Sequence, residues 1–221
     1  LTKLLKKSKN KLNDLDKKRE LIVDSAIKRF SHFGIQKTTM NEIADDISVT
    51  QPSLYHYFPD KMSLVVAVVE KIMTEYFEEL EAQLSTLQSL EEEFVTILVC
   101  RKKFIKRYFM LNLTETSPEA GQIQNACYGV MEQARVRESV LVAALLTKAA
   151  NAGEIASVDA DKMSKLYLDA ITGLSVFVLI PMKNKFSPGE EEFDLIFERQ
   201  NELSKVFLSG LKSFGSDGKT L

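Results

Sequence analysis

The chain has 221 residues, room for one large or two small domains with a substantial buried core. An apolar fraction of 45% with 27% charged residues is that of an ordinary soluble globular protein. A net charge of −2 argues against a general nucleic-acid coat, and no apolar run is long enough to span a bilayer.

The N-terminus is basic but lacks the uninterrupted apolar segment of a secretory signal, so a cytoplasmic protein without membrane contact is expected. The charge is unevenly spread. Residues 1–60 hold 11 Lys/Arg against 8 Asp/Glu, and the remainder holds 18 against 23. A basic front and an acidic back suit a protein that touches phosphate at one end. Cys100 and Cys127 are too far apart for a metal or redox motif, and the only histidines, His32 and His56, form no cluster with them. No metal and no cofactor are expected. Two isolated thiols packed among apolar neighbours are favoured over a redox switch.

Residues 1–16 are rich in Lys and Asn and read as a basic arm that extends the first helix backwards. The first helix is expected from about Lys17 to Phe33, with Ile22, Ala26, Ile27, Phe30 and Phe33 as its apolar stripe and Gly34 as its end.

The stretch from Thr39 to Lys61 carries the most information. Thr39 can cap a helix whose third position is Glu42, a reciprocal capping box. Met40, Ile43, Ala44 and Ile47 follow at helical spacing. Ser48 and Val49 make the turn, and Thr50 can cap a further helix with Pro52 in its first turn, where a missing N–H costs little. A short helix, a brief turn and a second helix with a polar front outline a helix-turn-helix, whose second helix lies in the DNA major groove.

Asp60 caps a long helix from Lys61 to about Leu87, with Leu64, Val65, Val68, Ile72, Tyr76, Leu80 and Leu84 in one stripe. Further helices are expected from Glu91 to about Leu113 and from near Pro118 to Asn151. Two more run from Asp159 to Ile180, stopped by Pro181, and from Glu190 to Phe214. No segment alternates as a strand, so an all-α protein follows. Arg101, Lys102, Lys103, Lys106 and Arg107 read as a solvated face, and residues 215–221 as a frayed tail.

The run Leu54-Tyr-His-Tyr-Phe-Pro-Asp-Lys-Met-Ser-Leu64 closely resembles the signature of the TetR family of bacterial regulators, in which the recognition helix ends in Tyr-x-Tyr-Phe and a Lys opens the next helix. Ile22-Val-Asp-Ser-Ala-Ile-Lys-Arg-Phe30, Phe33-Gly-Ile35 and Thr38-Thr-Met-Asn-Glu-Ile-Ala44 match the family's first helix and the start of its second. The resemblance covers residues 20–65; beyond them it rests on length and helical pattern. Ser48 departs from it, standing where the family usually has Gly to take positive φ without strain.

The resemblance implies a TetR-like architecture of about nine helices, an N-terminal three-helix DNA-binding domain (17–62) behind the basic arm (1–16) and a larger C-terminal helical bundle (63–214) for effector binding and dimerisation. It implies a non-enzymatic transcription regulator, most often a repressor, that binds a palindromic double-stranded operator as a homodimer and is released by a small-molecule effector, largely apolar.

At the front of the third helix, Thr50, Gln51, Pro52 and Ser53 are the groups placed to meet bases. Gln51 can bond adenine through its amide, and Pro52 can touch a thymine methyl. No Arg is present to grip guanine, which leaves much of the specificity to DNA shape. The family pattern implies backbone contacts for Tyr55, His56 and Tyr57. Lys61 at a helix N-terminus, and Thr38 and Thr39 before the second helix, can hold phosphate. A capping or packing role is the competing reading for each, and Leu54 and Phe58 read as core.

If the family pattern holds, Phe104, Tyr108, Leu111, Tyr128, Met131 and Arg135 line an effector cavity with a few directing polar groups. By the same resemblance, a four-helix dimer interface takes Leu168, Ile171, Leu174, Ser175 and Val178 from one helix. Phe193, Ile196, Phe197, Leu203, Phe207 and Leu211 come from the next. An intramolecular core is the bland alternative. An enzyme with an incidental helix-turn-helix, or a protein-interaction scaffold, are the competing functions; no nucleophile–base or paired-carboxylate arrangement supports the former.

Overall fold

A computed structural model describes residues 2–109, 118–179 and 188–214, with side chains from residue 15 onward except those of 118–120 and 214. Every element among them is helical. The eight helices are α1 (Thr2–Phe33), α2 (Met40–Asp46), α3 (Gln51–Tyr57), α4 (Lys61–Leu84), α5 (Leu90–Tyr108), α6 (Pro118–Asn151), α7 (Ala160–Leu179) and α8 (Glu190–Phe214). The all-α expectation holds, with eight helices described where about nine were expected. The backbone of residues 2–16 continues α1 without interruption. Residue 111, the Ile180–Pro181 stop and the 215–221 tail lie outside the described residues.

Local chemistry sets the helix ends. Gly34 adopts φ 81° and its N–H returns to Phe30 O at 2.9 Å, which closes α1. Asp60 Oδ1 accepts from Ser63 N at 2.7 Å to open α4. Ser89 Oγ accepts from Glu92 N at the start of α5, where Glu91, Glu92 and Glu93 also suit the positive end of the helix dipole. Gly153 at φ 76° ends α6, and Asp159 Oδ1 accepts from Lys162 N at 3.0 Å to start α7.

The chain divides into two compact units, Leu1–Ile72 with Tyr108–Val130, and Met73–Arg107 with Met131–Leu221. In the first, α1 packs on α2 and α2 on α3. Ile22, Ala26, Phe30, Ile35, Ile43, Leu54, Phe58, Leu64 and Val68 form its core. Lys71 of α4 reaches Asp24 of α1 at 2.6 Å, and the Arg19 guanidinium sits 5.0 Å over the Phe58 ring. In the second unit, α7 packs along α8, and Phe94, Tyr167 and Phe207 form an aromatic cluster. No described helix is long and apolar enough to cross a membrane.

Both cysteines are unpaired and buried, and burial pushes each thiol above its usual value. That shift opposes formation of the reactive thiolate.

Candidate nucleic-acid interface

The geometry begins at α2. Thr39 Oγ1 accepts from Glu42 N at 3.3 Å while Glu42 Oε2 accepts from Thr39 N at 2.7 Å, so the expected capping box is closed from both sides. These bonds, the Thr39 N–H first, hold the Glu42 carboxyl below its ordinary value. Arg29 of α1 adds a further contact to Glu42 at 3.2 Å.

After α2 the chain turns on Ser48, whose φ of 53° is the only positive value at a non-glycine residue among those described. Ser48 N donates to Asp45 O at 3.1 Å and Val49 N to Ala44 O at 3.0 Å, the paired bonds of a Schellman ending. The sequence supplies Ser where glycine would relax, yet the turn forms. Thr50 then caps α3 through Ser53 N at 3.4 Å, with Pro52 in the first turn as its missing N–H allows.

α3 buries Leu54, and Phe58 follows buried at its C-cap, so these two anchor the helix as expected. Its opposite face carries Gln51, Pro52, Tyr55 and His56 exposed, with Ser53 and Tyr57 half-buried. The His56 and Tyr57 rings meet edge to face at 5.5 Å. Lys61, the first residue of α4, donates to Gln36 O at 3.3 Å, and partial burial lowers its ammonium pKa.

Thr38 and Thr39 part company. Thr39 is exposed, although its hydroxyl serves the capping box. Thr38 is 1% exposed and its hydroxyl donates to Gly34 O at 2.9 Å, an internal tie across the α1–α2 loop. Its side chain takes the packing role that competed with phosphate contact.

The residues expected to line an effector cavity differ in burial. Phe104 and Tyr108 are buried, whereas Tyr128 is 69% exposed and Met131 is exposed. Arg135 is exposed and pairs with Glu132 of its own helix at 2.7 Å. Phe104, Met131 and Arg135 belong to the second unit and Tyr108 and Tyr128 to the first. Leu111 lies outside the described residues.

The cationic run on α5 also divides. Lys102, Lys103, Lys106 and Arg107 line an open groove of about 430 Å³ with Val99 and Glu190. Lys102 pairs with Asp194, Lys106 with Glu190, and Lys103 with Glu79 at 2.5 Å. Arg101 does not join that surface: it turns inward to Glu138 at 2.5 Å, correcting the expectation of a solvated face. The spacing Phe94, Ile97, Arg101, Phe104, Tyr108 puts it on the buried stripe of α5, a signal hidden by its basic neighbours.

Of the residues expected between subunits, Leu168, Ile171, Ser175, Val178, Phe193, Ile196 and Leu211 are buried within one chain, and Leu174, Phe197, Leu203 and Phe207 partly so. Gln200 crosses from α8 to Ile171 O and Ser175 Oγ at 2.7 and 2.8 Å. The outward faces carry other groups: Leu166, Gly173 and Phe177 on α7, and Leu195 and Val206 on α8.

Residues 22–68 match the family model described as bacterial regulatory proteins, tetR family. The chain is 30% identical over 108 residues to the HTH-type transcriptional regulator RutR of Escherichia coli K12, covering 48% of this chain and 45% of RutR. It is 30% identical over 132 residues to the HTH-type transcriptional repressor ComR of the same strain, covering 56% and 62%. The chain thus spans about half the length of the curated relatives it matches. A transcriptional regulator from Cytophaga hutchinsonii shares the fold, with a TM-score of 0.76 at 24% identity over 88% of this chain and 98% of that one. The likeness to the tetR family of bacterial regulatory proteins thus lies in residues 22–68, the segment that builds the helix-turn-helix.

Proposed function

We propose that the chain is a DNA-binding transcription regulator, a repressor that grips a palindromic operator as a homodimer and releases it when a small, largely apolar effector binds. One observation carries the reading: α3 is anchored by Leu54 and Phe58 on one face and leaves Gln51, Pro52, Tyr55 and His56 free on the other. A helix held this way can enter a major groove with its N-terminal end against base edges. Gln51, Pro52 and Ser53 read bases, with Thr50 beside them. Tyr55, His56, Tyr57, Lys61 and Thr39 hold phosphate, and Thr38 shapes the loop that positions them.

The division of labour follows the chain. Residues 17–62 read DNA, with the basic arm 1–16 tracking phosphate. Residues 63–214 bind effector and pair subunits through α7 and α8. Dimerisation supplies the affinity and symmetry that so few base contacts cannot. Exposed Leu166, Phe177, Leu195 and Val206 support a pairing surface on those two helices. α4 runs unbroken from Lys61 to Leu84, so repacking around Tyr76 or Leu80 is felt at Lys61. An effector acts by its differential affinity for the two arrangements of that helix.

Selection of bound fragments from random duplex DNA tests this. Recovery of a palindrome, with affinity that falls steeply as salt rises, is expected. Gln51→Ala then alters which sequences bind, whereas Lys61→Ala or Tyr57→Ala weakens all of them alike. Purified protein that ignores every duplex at low ionic strength overturns the proposal.

A further inference from the structure

Four helices of the second unit each send one polar side chain into a single cluster. Tyr76 of α4 donates its phenol hydrogen to Glu138 Oε1 of α6 at 2.6 Å. Arg101 of α5 donates through Nη1 to Glu138 Oε2 at 2.5 Å and through Nη2 to Thr172 Oγ1 of α7 at 2.9 Å. The Arg101 and Glu138 side chains are only 14% and 10% exposed. Such a pair is not explained by stability, since well-packed apolar residues of similar volume serve a core as well or better.

The donors and acceptors are unequal in number. Both oxygens of Glu138 are engaged, yet Arg101 Nε is buried with no acceptor among the described residues. A buried donor on a charged group left unpaired is costly, and native structures retain few of them. Aromatic rings border the cluster: Phe104 lies edge to face with Tyr76 at 5.2 Å. On its other side Thr172 is exposed, so the cluster reaches the surface. Burial, then the Glu138 carboxylate, pushes the Tyr76 phenol well above its usual value and keeps it a neutral donor.

We propose that the Tyr76–Glu138–Arg101–Thr172 cluster is the effector-recognition site, and that it takes a neutral, largely apolar molecule whose carbonyl oxygen accepts from Arg101 Nε–H. The site rests on the reading of the chain as a ligand-responsive regulator. Charge selects the class. Glu138 already balances Arg101, so a carboxylate ligand would bring a second anion beside Glu138 with no cation to meet it. The same geometry supplies the regulation. A ligand that draws Arg101 toward itself loosens its hold on Glu138, the acceptor of Tyr76, and Tyr76 stands on the helix that begins at Lys61.

The test uses the full chain labelled with 15N and no DNA. The Arg101 Nε–H resonance is identified by its loss in Arg101→Lys. N-methylacetamide, 2-pyrrolidone and N-methylbenzamide are titrated in, with benzoate and toluene as the anionic and acceptor-free counterparts of the last. The expected result is a saturable movement of the Arg101 Nε–H signal with at least one amide and none with toluene. Benzoate binds about tenfold or more weaker than N-methylbenzamide, a gap of about 1.4 kcal/mol.

Folded Arg101→Lys, checked by its helical circular dichroism, loses the thermal stabilisation that the amide confers. If that variant does not fold, the wild-type titration decides alone, its resonance being assigned through bonds instead. Absence of saturation with all three amides, equal response to toluene, or tighter binding of benzoate overturns the assignment. Because no duplex is present, failure here leaves DNA reading standing, and failure of the duplex selection leaves the titration unaffected.

Discussion

Arg29 lies fork to fork against Asp46, Nε donating to Oδ2 at 2.7 Å and Nη2 to Oδ1 at 3.0 Å. Its remaining nitrogen reaches Glu42, so one side chain of α1 holds both the first and the last turn of α2. The Arg29 hydrogen bond holds the Asp46 carboxyl below its ordinary value. Lysine cannot reproduce this two-pronged geometry. Arg29→Lys is expected to lower the urea midpoint, and to lower it less in an Asp46→Asn background. A double-mutant cycle at low salt checks this, with the coupling shrinking as salt rises. Zero coupling at low salt would show that the fork does not tie α2 down.

Ser48 offers the opposite case, a residue in the wrong conformation for its type. An L-residue at φ 53° carries a cost that glycine does not, partly offset by the greater freedom glycine loses on folding. Ser48→Gly should stabilise the chain by about 0.5–1 kcal/mol, seen as a higher denaturation midpoint. Ser48→Val should destabilise, because a β-branched side chain is a poorer occupant of that region. Equal midpoints for all three would mean that the turn relaxes away from positive φ in solution.

The capping box carries a pH signature. Glu42 is depressed in the folded state, chiefly by the Thr39 backbone N–H and then by the Thr39 hydroxyl. A depressed carboxyl contributes stability above its unfolded value, and that contribution disappears as pH falls through the folded value. Wild type should therefore lose thermal stability in acid faster than Glu42→Gln. Melting curves at neutral pH and below pH 4 compare the two. Parallel acid limbs would remove Glu42 from the cause.

Much of this fold is legible in the sequence because its signals are local. Thr39 with Glu42, Thr50 with Ser53, and Asp60 with Ser63 each act within four residues, and each forms a helix cap. Gly34 and Ser48 mark turns for the same reason. What escapes a reading of the chain depends on partners distant in sequence. Arg101 looks like its basic neighbours until Glu138, 37 positions away, is placed beside it. Thr38 escapes for a different reason: its hydroxyl donates to Gly34 O only four residues back, a bond made by the turn of the loop and not marked by residue type. The α7 and α8 stripes are correct as helix faces, but periodicity cannot say whether the partner is the same chain or another; here α7 and α8 cover each other.

The Arg101–Glu138 pair also makes a stability prediction independent of any ligand. Arg101→Met leaves Glu138 buried without its cation, a loss of about 3–5 kcal/mol by the usual cost of breaking such a pair. Replacing both, Arg101→Met with Glu138→Leu, removes the stranded charge and should recover most of that loss. Chemical denaturation of the two variants decides. A double variant as unstable as the single one would mean that the network's hydrogen bonds to Tyr76 and Thr172, rather than its charge balance, hold these helices together.

Dimerisation is where burial redirects attention to specific residues. Leu168, Ile171 and Phe193 are already covered within one chain, so substituting them tests folding rather than pairing. Phe177 and Val206 are 69% and 70% exposed and lie on the outward faces of α7 and α8. A charge placed there costs the isolated chain little, but in an interface it must be desolvated without a partner. Phe177→Glu and Val206→Glu should thus keep helical content and melting behaviour at low concentration while shifting sedimentation from dimer to monomer. Operator binding should weaken with them and become steeply concentration-dependent, since two reading heads no longer arrive together. A dimer that survives both substitutions, or a wild-type chain that sediments as a monomer at every concentration, would place the pairing surface elsewhere or remove it.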